Sequence, residues 1–260
     1  MSEEIVLEVK GLRVRYGDFE AVKGVDFTLE KGGILGIVGE SGSGKSTVAR
    51  TLIGLQRKSS GDVHVNAKSM QMIFQDAVGS LNPRMTVRQT LGEVLKVKGI
   101  ADATPESLLE LVGLSTAVLD QYPRELSGGQ CQRVSIARAL ACRPEVLIAD
   151  EPVSALDVSV QARILNLIRE LRRKLHLSIL LIAHDLAVVK NVCDRICVME
   201  KGVFVDSGTA LDVFTNPKSD YTKRLISAVP DVDRALDERS GSPRPQAQLL
   251  GRNPRLVEQG

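Results

Sequence analysis

A mainly parallel β-sheet wrapped by helices is the fold class this sequence predicts, and three observations carry it. Residues 34–38, 146–149 and 179–183 are short unbroken apolar runs, the signature of strands buried on both faces of a parallel sheet. Segments with helical periodicity, 45–55, 135–142 and 160–174, alternate with them, as crossover connections require. The chain has 260 residues, 43% of them apolar, which is enough for a sizeable core. With 3% aromatic residues and no Trp, that core must be aliphatic.

Taken in order, residues 5–16 alternate apolar and polar side chains (Leu7, Val9, then Leu12, Val14, Tyr16), as a half-buried strand or strand pair does. A second strand, 27–30, ends at the turn Lys31-Gly32-Gly33. The apolar run 34–38 leads into a Gly/Ser-rich loop, 39–44, and a helix over 45–55. Residues 63–65 and 70–74 read as short strands. Between 86 and 122 there are no long apolar strands, and 105–112 and 118–120 look helical. Pro144 ends the helix at 135–142 and opens strand 146–149. In 160–174, Ile164, Leu167, Ile168 and Leu171 share one helical face. Strands at 179–183 and 195–199 follow, then a hairpin strand at 203–206. Beyond about residue 237 the Ser/Gly/Pro-rich, polar composition predicts a flexible tail, 238–260, after one domain spanning 1–237.

Bulk properties exclude several functions. A net charge of +2 is too near neutral for a protein that coats polyanions, and so few aromatics leave no stacking platform for single strands; nucleic acid is not an expected partner. The strongly apolar stretch 179–183 is far shorter than the roughly 20 residues that cross a bilayer. Residues 1–4 are acidic and lack the basic and apolar regions of a signal peptide, so a cytoplasmic chain is expected. Cys131, Cys142, Cys193 and Cys197 show no CxxC spacing. Cys193 and Cys197 could share a helix face, yet buried thiols are the simpler expectation than a metal site.

The string Gly39-Glu40-Ser41-Gly42-Ser43-Gly44-Lys45-Ser46, followed by Thr47, matches the phosphate-binding pattern GxxxxGK[ST]. Its glycines let successive backbone N–H groups converge on phosphate oxygens, and the following helix adds its positive dipole end. Lys45 is suited to reach the β- and γ-phosphates, and the Ser46 hydroxyl to bind Mg²⁺. A complete site needs a second apolar strand ending in carboxylates. Val146 to Ala149 followed by Asp150-Glu151 supplies it: Asp150 for Mg²⁺, Glu151 as the general base for an attacking water.

Leu126-Ser127-Gly128-Gly129-Gln130, some twenty residues before Asp150, resembles the signature motif of ABC ATPases. As chemistry it is a helix start with a hydroxyl and exposed N–H groups, a second anion-binding device in one chain. The resemblance covers about residues 7–229. It implies a P-loop NTPase ABC cassette with a RecA-like core, an antiparallel β subdomain and a helical subdomain at about 76–142. It further implies that Tyr16 stacks on adenine, that Gln75 approaches Mg²⁺ and water, that Asp157 lies in a loop crossing a dimer interface, and that His184 contacts the γ-phosphate. Family members close each ATP between the phosphate loop of one cassette and the signature of another, so a second ABC ATPase subunit, identical or related, is an expected partner.

Ser80-Leu81-Asn82-Pro83-Arg84-Met85-Thr86-Val87, with Asn216 to Thr222 and Val229-Pro230, is similar to the oligopeptide/dipeptide/nickel importer group. That resemblance implies transmembrane permease subunits, indirectly an extracytoplasmic substrate-binding protein, and a place on the cytoplasmic face of the cell membrane. Three departures stand out: a short stretch at 62–70, Cys131 where the family carries a polar or basic residue, and no cysteine-rich tail for an iron–sulfur cluster. The competing reading is a non-transport ABC ATPase of DNA repair or translation. Those machines usually carry a coiled-coil insertion or a tandem cassette, whereas about eighty residues without heptads separate phosphate loop and signature here.

Overall fold

The computed structural model describes residues 4–154 and 156–229. In chain order it has β1 (Ile5–Tyr16), β2 (Phe19–Glu30), β3 (Ile34–Val38), α1 (Lys45–Leu52), β4 (Ser60–Val65) and β5 (Met70–Ile73). Then come α2 (Val87–Lys98), α3 (Pro105–Leu111), α4 (Gly128–Leu140), β6 (Val146–Asp150) and α5 (Val158–Leu175). The chain continues through β7 (Ser178–Ala183), α6 (Leu186–Lys190), β8 (Arg195–Glu200), β9 (Val203–Thr209), α7 (Ala210–Thr215) and α8 (Asp220–Ser227). The described residues fall in one compact unit ending at Val229. The boundary expected near residue 237 and the tail at 238–260 lie outside the described residues.

Two sheets organise the chain. β2-β1-β4 is antiparallel, and β5-β6-β7-β3-β8-β9 is parallel except for the final hairpin strand, β9. The short stretch at 62–70 still provides β4, which pairs with β1 from Leu7↔Val65 to Arg13↔Ser60. All five residues of β3 and of β6 are buried, as the apolar runs 34–38 and 146–149 require, and Asp150 is buried at the end of β6.

Successive side chains of these strands feed opposite layers. Leu147, Ala149, Ile179 and Leu181 pack with the helices α2 to α5, whereas Val146, Ile148, Leu180 and Ile182 pack with α1 and the antiparallel sheet. Each fully buried aliphatic side chain contributes about 1.5–3 kcal/mol, so the sheet holds both layers to it. On α5, Ile164, Leu167, Ile168 and Leu171 are buried, as their spacing predicts.

Some elements differ from the sequence reading. β2 begins at Phe19, not residue 27, because register shifts around Leu12 and a positive φ at Gly24 break its alternation. α2 is a full helix with a reciprocal capping box between Thr86 and Gln89 and a left-handed Gly99 at its end. The helical segment expected at 118–120 is a short 3₁₀ turn two residues earlier, Thr116–Val118. Cys193 and Cys197 share no helix: Cys197 is on β8 and Cys193 precedes it. Both are buried, which raises the Cys193 thiol far above its ordinary value and pushes Cys197 up to about 12. Among the described residues no group of three His, Cys, Asp or Glu could hold a metal. No helix among them is long and apolar enough to cross a membrane.

Candidate functional site

Strand register sets the site. β3, β5, β6 and β7 are parallel, with Ile73↔Ala149, Asp150↔Ile182 and Val38↔Ala183 in register. Their carboxyl ends therefore deliver Gln75, Glu151, His184 and Gly39 to one edge of the sheet, where ligands of open α/β sheets bind.

The phosphate loop leaves β3 through Gly39, where a Cβ would lie 2.1 Å from the Met199 carbonyl; no other residue fits. The Gly202 N–H donates to the Ser43 carbonyl at 2.9 Å, fastening the β8–β9 turn to the loop. Lys45 is 3% exposed and donates to the carbonyls of Gly39 (2.7 Å) and Glu40 (2.9 Å). Burial pushes its ammonium below the ordinary lysine value, while the Glu151 carboxylate, 3.6 Å away, opposes that shift. Ser41 and Gly42 are exposed, Ser46 and Thr47 are half-buried on the first turn of α1, and Ser43 Oγ is buried without a protein partner.

The Ser46 hydroxyl donates to Asp150 Oδ1 at 2.9 Å. Asp150 is 2% exposed, and burial raises its carboxyl above the usual carboxylate range. Glu151, next along, has φ 46°, a left-handed conformation that costs a side-chain-bearing residue about 1–2 kcal/mol. That turn sends the two carboxylates in different directions. Glu151 Oε2 accepts from Gln75 Nε2 at 3.0 Å, so Gln75, Glu151 and Lys45 form one connected cluster beside the Ser46–Asp150 pair. His184 is exposed one residue beyond Ala183. Tyr16 is 45% exposed at the tip of the β1–β2 hairpin, paired across the turn with Phe19.

Ser127 begins α4. Its Oγ accepts from the Gln130 N–H at 3.3 Å, and Gln130 Oε1 accepts from the Ser127 N–H at 2.8 Å. This is a reciprocal capping box, so helix capping accounts for Gln130 as well as Ser127. The hydroxyl proton of Ser127 remains free to donate. At Gly129 a Cβ would come within 2.8 Å of Val160 Cγ1, so this glycine also lets α4 pack against α5, a role its sequence context did not suggest. Cys131 faces inward, fully buried, its thiol donating to the Pro123 carbonyl at 3.4 Å. Ser127, Gly128, Gly129 and Gln130 line a concavity of about 310 Å³ with Asp157, the exposed residue preceding α5. None of residues 39–47 lines it.

The sequence matches the family model described as ABC transporter over residues 22–154. It is also 44% identical to the oligopeptide transport ATP-binding protein OppF of Lactococcus lactis, over 90% of this chain and 82% of that protein. The chain belongs to the ABC transporter family. Among solved structures it resembles cbiO1 of Clostridium perfringens, part of the ABC transporter complex cbiONQ, with TM-score 0.72, 26% identity, and coverage of 90% of this chain and 100% of that one. It also resembles MJ0796, a bacterial ABC transporter cassette in a dimeric structure, with TM-score 0.70, 26% identity, and coverage of 78% and 98%. The chain is thus the ATP-binding, ATP-hydrolysing subunit of an ABC transporter, and the α/β cassette expected from the sequence is the fold observed.

The residues present suit Mg²⁺. A hydroxyl and a carboxylate oxygen lie 2.9 Å apart beside a phosphate-binding loop, hard donors too few to hold an ion unaided. Mg²⁺ typically takes one or two protein oxygens and completes its shell with substrate phosphates and water.

Proposed function

We propose that this chain energises an importer of peptides or related small solutes such as nickel complexes, and that it turns over ATP only as one half of a dimer. The separation of the two anion-binding devices carries the reading: Lys45 with Ser46 and Asp150 at the sheet edge, and Ser127 with its helix start in a concavity that shares no residue with it. Neither surrounds a nucleotide unaided. Two chains packed head to tail would bring Lys45 of one and Ser127 of the other to the same γ-phosphate. The partner is a second ABC ATPase subunit, identical or related.

Each residue has a task within that pair. Tyr16 stacks on the adenine, and residues 39–47 wrap the phosphates with backbone N–H groups. Lys45 turns from the Gly39 and Glu40 carbonyls to the β- and γ-phosphates. Ser46 and Asp150 would hold Mg²⁺, assisted by Gln75. Bound Mg²⁺ supplies charge neutralisation on the β- and γ-oxygens. Once phosphate engages Lys45, the Glu151 carboxylate is released to take a proton from the attacking water. The water oxygen bonds to the γ-phosphorus, the bond to the bridging oxygen breaks, and the proton passes on to the released phosphate. Gln75 holds Glu151 in place, and His184 contacts the γ-phosphate. Asp157 and Ser127 to Gln130 act across the interface, so loss of the γ-phosphate removes the bridge between the halves.

Coupling runs through Gln75. It borders a concavity of about 730 Å³ with Gln71, Ser80, Arg138 and Asp150, which in this reading receives a helix of a permease subunit. Arg138 donates to the Ser80 carbonyl, tying the segment after Gln75 to α4 and hence to Ser127. Such permeases, fed by an extracytoplasmic binding protein, would hold the chain at the cytoplasmic face of the membrane. The name of the Lactococcus lactis relative supports peptides as cargo.

The test is reconstitution with permease subunits encoded beside this chain. ATP-driven uptake of labelled peptide into proteoliposomes, strengthened by the peptide-loaded binding protein, is expected. Hydrolysis that responds to DNA or ribosomes and not to permease would overturn the importer reading.

A further inference from the structure

The C-terminal string Asn216 to Thr222 has no part in the site as described, yet it reaches the phosphate loop. Ser219 caps α8, its Oγ accepting from the Thr222 N–H at 3.0 Å. The Lys218 N–H donates to Asp206 Oδ2 at 2.7 Å, anchoring the same segment to β9. Tyr221, 5% exposed, thereby points its phenol inward, and its oxygen accepts from the Glu40 N–H at 2.9 Å across 181 residues of sequence. Glu40 is the second residue of the loop, and its carbonyl accepts from Lys45 Nζ at 2.9 Å. The two ends of one residue's backbone are thus held by the C-terminal helix and by the phosphate-binding lysine.

We propose that Tyr221 is a positioning residue for nucleotide binding: its phenol oxygen sets the backbone of the phosphate loop at Glu40, which makes α8 part of the nucleotide site. A buried tyrosine hydroxyl needs a partner somewhere. Here the partner is a loop N–H that precedes the run converging on phosphate. The loop's glycine-rich backbone has many conformations of similar energy, so each external tie narrows it toward the cradle shape. The Gly202 N–H to the Ser43 carbonyl is one such tie and Tyr221 to Glu40 is the other, on opposite sides of the bend. Burial holds the phenol above its ordinary value, so it stays protonated at neutral pH and the tie is independent of pH there.

This inference rests on the ATP-binding reading of residues 39–47, and the experiment separates the two. Calorimetric titration of the full chain with ATP and Mg²⁺ is compared between wild type and Tyr221→Phe, which keeps the buried ring and removes the acceptor. The variant is expected to bind ATP about tenfold more weakly, about 1.4 kcal/mol, with KM rising in step and kcat within about twofold. Its Glu40 amide should exchange with solvent deuterium faster, at a thermal midpoint within a few degrees of wild type. A variant with wild-type ATP affinity and wild-type Glu40 exchange overturns the proposal and marks Tyr221 as a packing residue. Wild type that binds no ATP overturns the nucleotide reading itself. Should Tyr221→Phe not fold, 3-fluorotyrosine replaces the chain's three tyrosines, with resonances assigned through Tyr16→Phe and Tyr122→Phe. The Tyr221 fluorine signal must then move as ATP saturates the chain; a signal that stays put overturns the proposal.

Discussion

Replacing Glu151 by Gln isolates one proton acceptor within an otherwise preserved site. The amide is isosteric, can still accept from Gln75 Nε2 at 3.0 Å, and occupies the same left-handed backbone, φ 46°, at no new cost. What changes is the charge. At 3.6 Å and an effective dielectric of about 20, the Glu151–Lys45 attraction is about 4–5 kcal/mol before desolvation is set against it. Phosphate binding must displace that pairing in the wild type and need not in the variant, so ATP affinity should hold or rise. Turnover should fall about 10²–10⁴-fold, the usual worth of a positioned general base, or about 3–5 kcal/mol on the barrier. Phosphate release measures the rate, and size-exclusion chromatography with light scattering measures mass with and without ATP and Mg²⁺. The expected result is slow release and a stable ATP-dependent dimer. Phosphate release within threefold of wild type would refute Glu151 as the base. A variant that binds ATP yet stays monomeric at saturation would instead remove the two-chain site.

Other substitutions probe the remaining parts. Ser127→Arg should abolish hydrolysis while single-chain ATP affinity, read by calorimetry, stays within about twofold; loss of the cap should cost about 0.5–2 kcal/mol of stability. Loss of single-chain binding would contradict a signature that acts only across the dimer. Asp150→Asn should stop Mg²⁺-dependent turnover yet raise the thermal midpoint of the nucleotide-free chain at neutral pH. Burial raises the Asp150 carboxyl in the folded state, so its cost is absent below the ordinary aspartate range and grows as pH climbs through the raised value. The stabilisation by Asn should therefore shrink on acidification; a gain constant with pH would refute the electrostatic cause. Tyr16→Ala should leave stability within about 0.5 kcal/mol, because the side chain is 45% exposed, and weaken ATP binding by about 1–3 kcal/mol of lost stacking. Unchanged affinity would remove the stacking role.

Much of the candidate site was legible because its chemistry is contiguous in the chain. A phosphate loop needs glycines, a lysine and a hydroxyl within one turn, and Asp150-Glu151 needs only to follow a buried strand. Helix α2 is equally legible in principle, since Thr86, Gln89 and Gly99 are start and stop signals and Val87, Leu91 and Leu95 recur on one buried helical face. β2 extends well beyond its alternating stretch because a Gly-linked register shift breaks period-2 alternation, and no local pattern reports a bulge without its partner strand. Gly129 shows the converse. Its place in the signature was plain, but its contact with Val160 depends on how closely two helices approach.

Local sequence set the class of the fold, the strands of its parallel sheet and the residue types at each phosphate-binding device, since backbone conformation and binary patterning act over a few residues. Long-range packing alone assigned the side chains of β6 and β7 to one layer or the other, because a run that is apolar at every position carries no mark of which face is which. It also tied Glu151 to Gln75 across 76 residues and Glu40 to Tyr221 across 181. A single hydrogen bond between distant residues leaves no period or spacing in the chain; it exists because parallel register and a capped C-terminal helix bring both ends to the same edge of one sheet.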